Sequence, residues 1–361
     1  MKVILIGAGR YGNGLVGRKY KEGEFGAELA SVVDPKINQI KTQKDYTLKD
    51  TPAYKNLEEL PKDTYDKNTV AEIALIPDHI VETVQKIANL GIKKMILPKP
   101  VAQDFDSFEL IKYTVDKNNI QCAVASNWHY SEITELLRAI INKTIGKEVE
   151  NSESLKKHHN KLKTVEEGLE IEKVNIEYNK KREVLTIDPP SQEMPHALQI
   201  AYSSGLTDLD EISYYMAVDK QSKSRVNVEI LTPLVKEGIF INSDLNMGDK
   251  LNKRRERTVE IFLNDEDKEP DIIADYDAQF NSNGICLKKP KIRYDVQKGK
   301  YRTCFEVEFE EDNLNTMYNK IFSYFKGEKE GEKSALTLEK YRPISKAICT
   351  IQELWEKSLK N

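Results

Sequence analysis

Along the first third of the chain, short apolar runs alternate with segments whose apolar positions recur every three or four residues. KVILIG, ELASVVD, VAEIALIP, KKMILPKP and IQCAVASN read as buried strands. Between them RYGNGLVGRKYKEG, IVETVQKIANLG and DSFELIKYTVDKNN carry helical spacing, the second closed by Gly91 at its C-terminal cap, while the segment ending AYKNLEEL is a polar connection. Near-continuous apolar strands separated by amphipathic helices predict a parallel sheet covered on both faces.

After Asn127 the pattern changes. SEITELLRAIINKT is an amphipathic helix, and the Lys-, Glu-, Ser- and Asn-rich stretch from Gly146 to Gly168 is either an exposed helix or a mobile insertion. From Glu172 onward a period of two dominates, in KVNIEYN, RVNVEIL, TVEIFLN, IADYDAQF, KIRYDV and TCFEVEFE. This alternation predicts an antiparallel sheet with one solvated or subunit-covered face. PHALQIAYSSG is a helix ended by Gly205, and MYNKIFSYFKG with RPISKAICTIQELWEKSL gives the chain a helical end. The expected organisation is an α/β domain over residues 1–127 and an α+β domain over 128–361 with a large, mostly antiparallel open sheet, the C-terminal helix being free to pack back on the first domain.

Composition narrows the function classes. A length of 361 residues favours two domains, and 39% hydrophobic with 32% charged residues excludes wholesale disorder. A net charge of -4 supplies no basic field for nucleic acid or anionic lipid. No apolar run approaches the roughly 20 residues that span a bilayer, and the first strand starts at residue 3, leaving no room for a cleavable leader; a cytoplasmic protein is expected. Cys122, Cys286, Cys304 and Cys349 are scattered without a CxxC pair, so reduced thiols and no metal site are expected.

The first apolar run breaks into Gly7, Gly9, Gly12 and Gly14, with Arg10 and Tyr11 inside the turn. A diphosphate-binding turn needs one glycine for the bend, a second for backbone approach to the ligand and a third for close helix packing. Gly7, Gly9 and Gly12 have that spacing, with Gly14 extending the close packing; the alternative is a purely structural turn. Asp34 ends the second strand, where a carboxylate accepts hydrogen bonds from an adenosine ribose and repels a 2′-phosphate. NAD is favoured; Lys36, two residues on, leaves NADP open.

The glycine turn, Asp34, IALIPDH, LPKP and the later helix with His196 follow the order of the Gfo/Idh/MocA oxidoreductases, the glucose-fructose oxidoreductase and inositol dehydrogenase group, and the chain resembles that family clearly over residues 1–130 and more loosely beyond. The resemblance implies a Rossmann domain followed by an open-sheet domain used for homodimer or homotetramer formation. It also implies hydride transfer between nicotinamide and a hydroxyl or carbonyl carbon of a sugar, cyclitol or related small polar metabolite. The family's Glu-Lys-Pro motif corresponds to Pro98-Lys99-Pro100, so the resemblance puts Lys99 beside cofactor and substrate while the glutamate is missing. Its Asp and His, four residues apart, correspond to Gln192 and His196 in Gln192-Glu193-Met194-Pro195-His196. Glutamine orients a hydroxyl but takes no proton, which leaves acid–base work to His196, Lys99 or Glu193.

Asn127, Trp128 and His129 leave the fifth strand where the family places substrate contacts, Trp128 or Tyr130 stacking on a ring and His129 donating a hydrogen bond; a core aromatic pair is the alternative. Pro77 and His79 are expected beside the nicotinamide ribose, with Asp78 as a helix N-cap in the simpler reading. Lys156, Lys157, His158 and His159 suggest a lid for an anionic substrate or a solvated helix face. Lys253, Arg254, Arg255 and Arg257 suggest a phosphate contact or, more simply, a turn before a strand. Two other functions stay open: reduction of an imine or specialised-metabolite carbonyl, and a non-catalytic nucleotide-binding sensor or assembly protein.

Overall fold

The computed structural model describes residues 1–180, 194–209, 213–218, 225–244, 255–263, 269–277, 279–280, 286–298, 300–310 and 313–360. The chain divides into two compact units, Met1–Asn127 with Asn313–Ser345, and Trp128–Asp312 with Lys346–Asn361. Among the described residues no helix is long and apolar enough to cross a membrane. Among the described residues, Cys122, Cys304 and Cys349 form no disulfide.

The first unit is built on six parallel strands, β1 (Lys2–Ile6), β2 (Glu28–Val33), β3 (Ala53–Tyr54), β4 (Val70–Ile73), β5 (Lys94–Leu97) and β6 (Gln121–Val124), in the order β3-β2-β1-β4-β5-β6. Val3, Ile4, Leu5, Val70, Ala71, Met95 and Ile96 are wholly buried, as strands covered on both faces require. Helix α1 (Ile80–Leu90) buries Ile80, Thr83, Val84 and Ile87 along one stripe and ends at left-handed Gly91. Helix α2 (Phe105–Lys117) starts where the Asp104 side chain accepts the Ser107 N–H at 2.7 Å. The order reverses between β1 and β4, which opens the crevice at the carboxyl ends of those strands where open α/β sheets receive ligands. The edge strand β3 comes from a stretch read as connection, because a two-residue strand leaves no periodicity.

Glu72 is the exception inside this apolar sheet. It lies in β4, 1% exposed, and its two oxygens accept the hydroxyls of Tyr20, at 2.5 Å, and Tyr318. Tyr318 belongs to the helix Asn313–Phe325, whose Tyr318 ring stacks on Phe25 at 4.0 Å. A chain segment almost 250 positions away in sequence is thus fastened to β4 through a buried carboxylate. Burial pushes the Glu72 carboxyl up to about 7, against the lowering effect of the two phenol donors.

The second unit carries an eight-stranded sheet: β7 (Ile171–Lys180), β8 (Ser213–Val218), β9 (Arg225–Thr232), β10 (Val235–Asp244), β11 (Arg255–Phe262), β12 (Ile272–Asp275) and, after a small hairpin of β13 (Gln279–Phe280) and β14 (Cys286–Lys288), β15 (Lys291–Lys298) and β16 (Tyr301–Glu308). The order β16-β15-β12-β11-β7-β10-β9-β8 is antiparallel except for the β7–β10 pair. Alternate residues face inward: Val174, Ile176 and Tyr178 on β7, Val259 and Ile261 on β11, Ile292, Tyr294 and Val296 on β15. Helices α3 (Glu132–Thr144) and α4 (Met194–Ser203) belong to this unit. β8, β10 and β14 are additions to the strands expected from the sequence; β10 carries Gly238 at φ 109, which breaks its alternation. The stretch Gly146–Gly168 holds two short helices, Glu153–Lys156 and His159–Thr164. The last helix spans Leu338–Lys360, starting before the expected Arg342 and continuing through Pro343.

Glu72 generates a pH signature. An unfolded chain releases this proton near pH 4.5 and the folded one near 7, so between those values the folded state holds more protons and stability falls as pH rises. The contribution, on the order of 3 kcal/mol, is complete below the unfolded value and lost as pH passes the folded one. Urea unfolding of Glu72→Gln is expected to lack this slope, gaining on the wild type between about pH 5 and about pH 8; parallel pH profiles would contradict the buried, proton-retaining carboxylate.

Candidate functional site

At the end of β1 the backbone turns so tightly that side chains are excluded. Gly7 has φ 103, and a Cβ on it would lie 2.5 Å from the Ala74 carbonyl oxygen. A Cβ on Gly12 would sit 2.0 Å from the Gly7 oxygen, and one on Gly17 2.6 Å from the Gly12 oxygen. Gly9 differs: nothing stands within 4 Å of its missing Cβ, so its outer face is open. These are the three requirements of a diphosphate turn, a bend, an approach face and a close helix contact. Gly14 also faces open space, which corrects the expectation that it extends the packing; Gly17 does so instead. The segment Gly12–Gly17 is a π-helical turn, wider than an α-turn.

Asp34 follows β2 and points back at this turn. Its Oδ2 accepts the Ala8 N–H at 2.8 Å and its Oδ1 the Lys36 N–H at 2.7 Å. Two main-chain donors fix the carboxylate's plane, and each oxygen retains acceptor capacity for a ribose hydroxyl. Arg10 and Tyr11 are exposed at the residue level, but the Tyr11 hydroxyl turns inward to Tyr318, and burial beside Glu72 raises its pKa above the usual phenol range.

Along the same sheet edge, Pro77 is buried and His79 exposed in a short 3-10 turn after β4, Lys99 is half-buried after β5, and Asn127 is half-buried after β6. Asp78 is exposed and caps neither this turn nor α1, contrary to the simpler expectation. The first unit therefore gathers Gly7, Gly9, Arg10, Tyr11, Gly12, Asp34, Pro77, His79 and Lys99 at the carboxyl ends of its strands. An open glycine face and an oriented carboxylate flank the switch point.

The second unit gathers Trp128, His129 and His196. His129 Nδ1 lies 2.8 Å from Ser203 Oγ, and Gln199 Nε2 donates to the same hydroxyl at 2.6 Å, both partners on α4. That nitrogen is thus engaged within the fold. Trp128 is buried, and its Nε1–H donates to Tyr178 Oη at 2.9 Å. Tyr178 stacks on His196 at 5.2 Å between centroids, 19° from coplanar. The Arg257 guanidinium lies 5.1 Å from the Tyr178 ring and 5.4 Å from that of Trp128. Trp128 thus carries a cation of the fold on its ring.

Tyr178 was not singled out in the sequence, and Arg257 only as part of a basic run. They are register partners on neighbouring strands, and their signal in the sequence was positional: Arg257 holds the inward place two residues before Val259, where the period calls for an apolar side chain. Arg257 is buried within β11, which corrects its placement in a turn; Lys253 and Arg254 lie outside the described residues. Desolvating a guanidinium costs several kcal/mol, and each aromatic face returns about 1–2 kcal/mol when desolvated. Gln192 and Glu193 also lie outside the described residues.

The Lys-rich segment borders a cleft of about 780 Å³ lined by Lys143, Lys147, Lys156, His159 and Glu167 among others. Its cations have structural partners: Lys156 pairs with Glu153, Lys157 with Glu132, and Lys143 Nζ donates to the Leu162 carbonyl at 2.7 Å. Two of these contacts fasten the segment to Glu132 and Lys143 of α3. Among the described residues no group of three His, Cys, Asp or Glu side chains is placed to hold a metal ion.

No known protein family and no curated protein matches the chain in sequence. Solved structures do match in shape. An oxidoreductase from Agrobacterium radiobacter in complex with NAD+, L-tartaric acid and magnesium superposes with TM-score 0.65 at 13% identity, covering 100% of this chain and 96% of that one. A dehydrogenase from Chromobacterium violaceum gives 0.65 at 10% identity, covering 100% and 97%. A dehydrogenase from Clostridium difficile gives 0.61 at 15% identity, covering 100% and 99%. The likeness shows the fold, a Rossmann-type parallel sheet with a second, mostly antiparallel one.

The glycine geometry separates two substitutions that look alike in sequence. Gly12→Ala is expected to lower stability by about 1–3 kcal/mol through overpacking, read as a fall in Tm of several degrees, whereas Gly9→Ala should leave Tm close to that of the wild type. Equal losses in both variants would contradict the assigned roles.

Proposed function

We propose that the protein is an NAD(P)-dependent oxidoreductase that transfers a hydride between nicotinamide and a hydroxyl or carbonyl carbon of a sugar, cyclitol or related small polar metabolite. The observation that carries this reading is the open Gly9 face beside an oriented Asp34 at the sheet's switch point. The shared fold with the NAD+-bound Agrobacterium radiobacter oxidoreductase supports it.

In this reading the Gly7–Gly12 turn and the N–H groups that follow receive the diphosphate, Asp34 accepts the adenosine ribose hydroxyls, and Pro77 and His79 border the nicotinamide ribose. The cofactor supplies the hydride chemistry, and the chain supplies position and one proton. Lys99 and His196 hold or move that proton at the substrate oxygen, an imidazole and a lysine both being suited to the task when their surroundings tune them. Asn127, Trp128, His129, Gln192 and Glu193 complete the proposed substrate contacts, His129 and Trp128 by positioning through Ser203 and Tyr178. The negative charge of Asp34 favours NAD over NADP. The open sheet is proposed as the face of a homodimer or homotetramer.

A second reading, favoured by Pro98 where the resembling family has glutamate, is reduction of an imine, which needs only a proton donor beside the acceptor atom. A screen of sugars, cyclitols and cyclic imines with both cofactors, followed by nicotinamide absorbance, separates the two. With the substrate so found, Lys99→Ala and His196→Ala are each expected to cut kcat by about 10²–10⁴-fold while leaving nucleotide affinity nearly intact. Unchanged turnover in both would remove these residues from the chemistry.

A further inference from the structure

We propose that Arg257 anchors an anionic oxygen group of the substrate, a carboxylate or a phosphate ester, so that the molecule turned over is an acid. The proposal deepens the oxidoreductase reading and rests on it, since it takes His196 as a proton-handling group.

Arg257 is only 8% exposed, yet among the described residues no hydrogen bond or ion pair holds its guanidinium, and its Nε is buried without an acceptor. The Asp277 carboxylate accepts the Arg257 main-chain N–H at 3.1 Å. Trp128 and Tyr178 occupy positions over the cation, at 5.4 and 5.1 Å. Rings interact with the flat face of a guanidinium; its N–H donors lie in the plane and need oxygen acceptors. The Trp128 Nε1–H donates to Tyr178 Oη, which links the two rings beside the guanidinium. A desolvated fork with no acceptor among the described residues is what a carboxylate or phosphate satisfies with two parallel hydrogen bonds.

The location connects this anchor to the proposed chemistry. Tyr178 contacts both His196 and Arg257, so the guanidinium carbon lies within about 10 Å of the imidazole centroid. A small acid of a few carbon atoms bridges that distance, its anion on Arg257 and its reacting carbon at His196.

Trp128 reports on the site, because the chain has two tryptophans and Trp355→Phe removes the other. The full-length Trp355→Phe protein would be titrated with malate and, separately, with inorganic phosphate, following tryptophan emission, and with NADH by calorimetry. A saturable emission change with malate supports a carboxylate, and one with phosphate alone supports a phosphate ester. Either should weaken on the order of 10-fold in Arg257→Lys, which keeps the charge but loses the fork, and disappear in Arg257→Met. No saturable response to either anion, or a response undiminished in both variants, overturns the proposal and leaves Arg257 as a stacking cation. NADH binding without an anion response defeats the Arg257 anchor alone; an anion response without NADH binding defeats the dinucleotide reading instead. Should Arg257→Met fail to fold, the Arg257→Lys comparison decides.

Discussion

The first unit depends on how closely β1 and the segment after it approach one another. A Cβ on Gly12 would stand 2.0 Å from the Gly7 carbonyl oxygen, and Gly17 repeats the constraint against Gly12. Only glycine permits that approach, and from it follow the direction of the turn, the placing of the Ala8 N–H over Asp34, and an open face at Gly9. Steric exclusion and ligand access are thus two results of one backbone path. The Asp34 carboxylate completes it by converting main-chain donors of the turn into an oriented acceptor.

The second unit answers a different physical problem, a cation facing inward on a sheet whose neighbouring inward positions are Val259 and Ile261. The fold places aromatic rings around it, Trp128 and Tyr178, and links Tyr178 to His196 by stacking. Aromatic surface offsets part of the desolvation of a guanidinium while leaving its in-plane donors unspent. The first unit shows the same theme in reverse: Glu72 is kept within an apolar sheet by two phenol hydroxyls and by a raised affinity for its proton.

Elements with strong periodicity were legible in the sequence. Five of the six strands of the parallel sheet, α1 with its Gly91 cap, and the alternating strands β7, β9, β11, β12, β15 and β16 follow directly from runs and alternations. The Asp34-to-Ala8 bond agrees with the spacing of turn and carboxylate. What escaped was spatial. Gly14 and Gly17 are equivalent in sequence, and only the positions of Gly12 and Leu48 reveal which one is squeezed. β10, interrupted by Gly238, pairs with β7 in parallel across a long sequence separation that no local pattern encodes. The Trp128–Tyr178–Arg257 stack joins three segments whose meeting is set by strand register, so the sequence showed a basic run without showing that Arg257 turns inward.

The most direct test of the account is calorimetric titration of the ligand-free full-length protein with NADH and NADPH, with Asp34→Ala beside the wild type. Saturable NADH binding that weakens by about 10-fold or more when the carboxylate is removed is the expected result. Absence of binding to either nucleotide would contradict it, reducing the Gly7–Gly12 geometry to a close-packed turn.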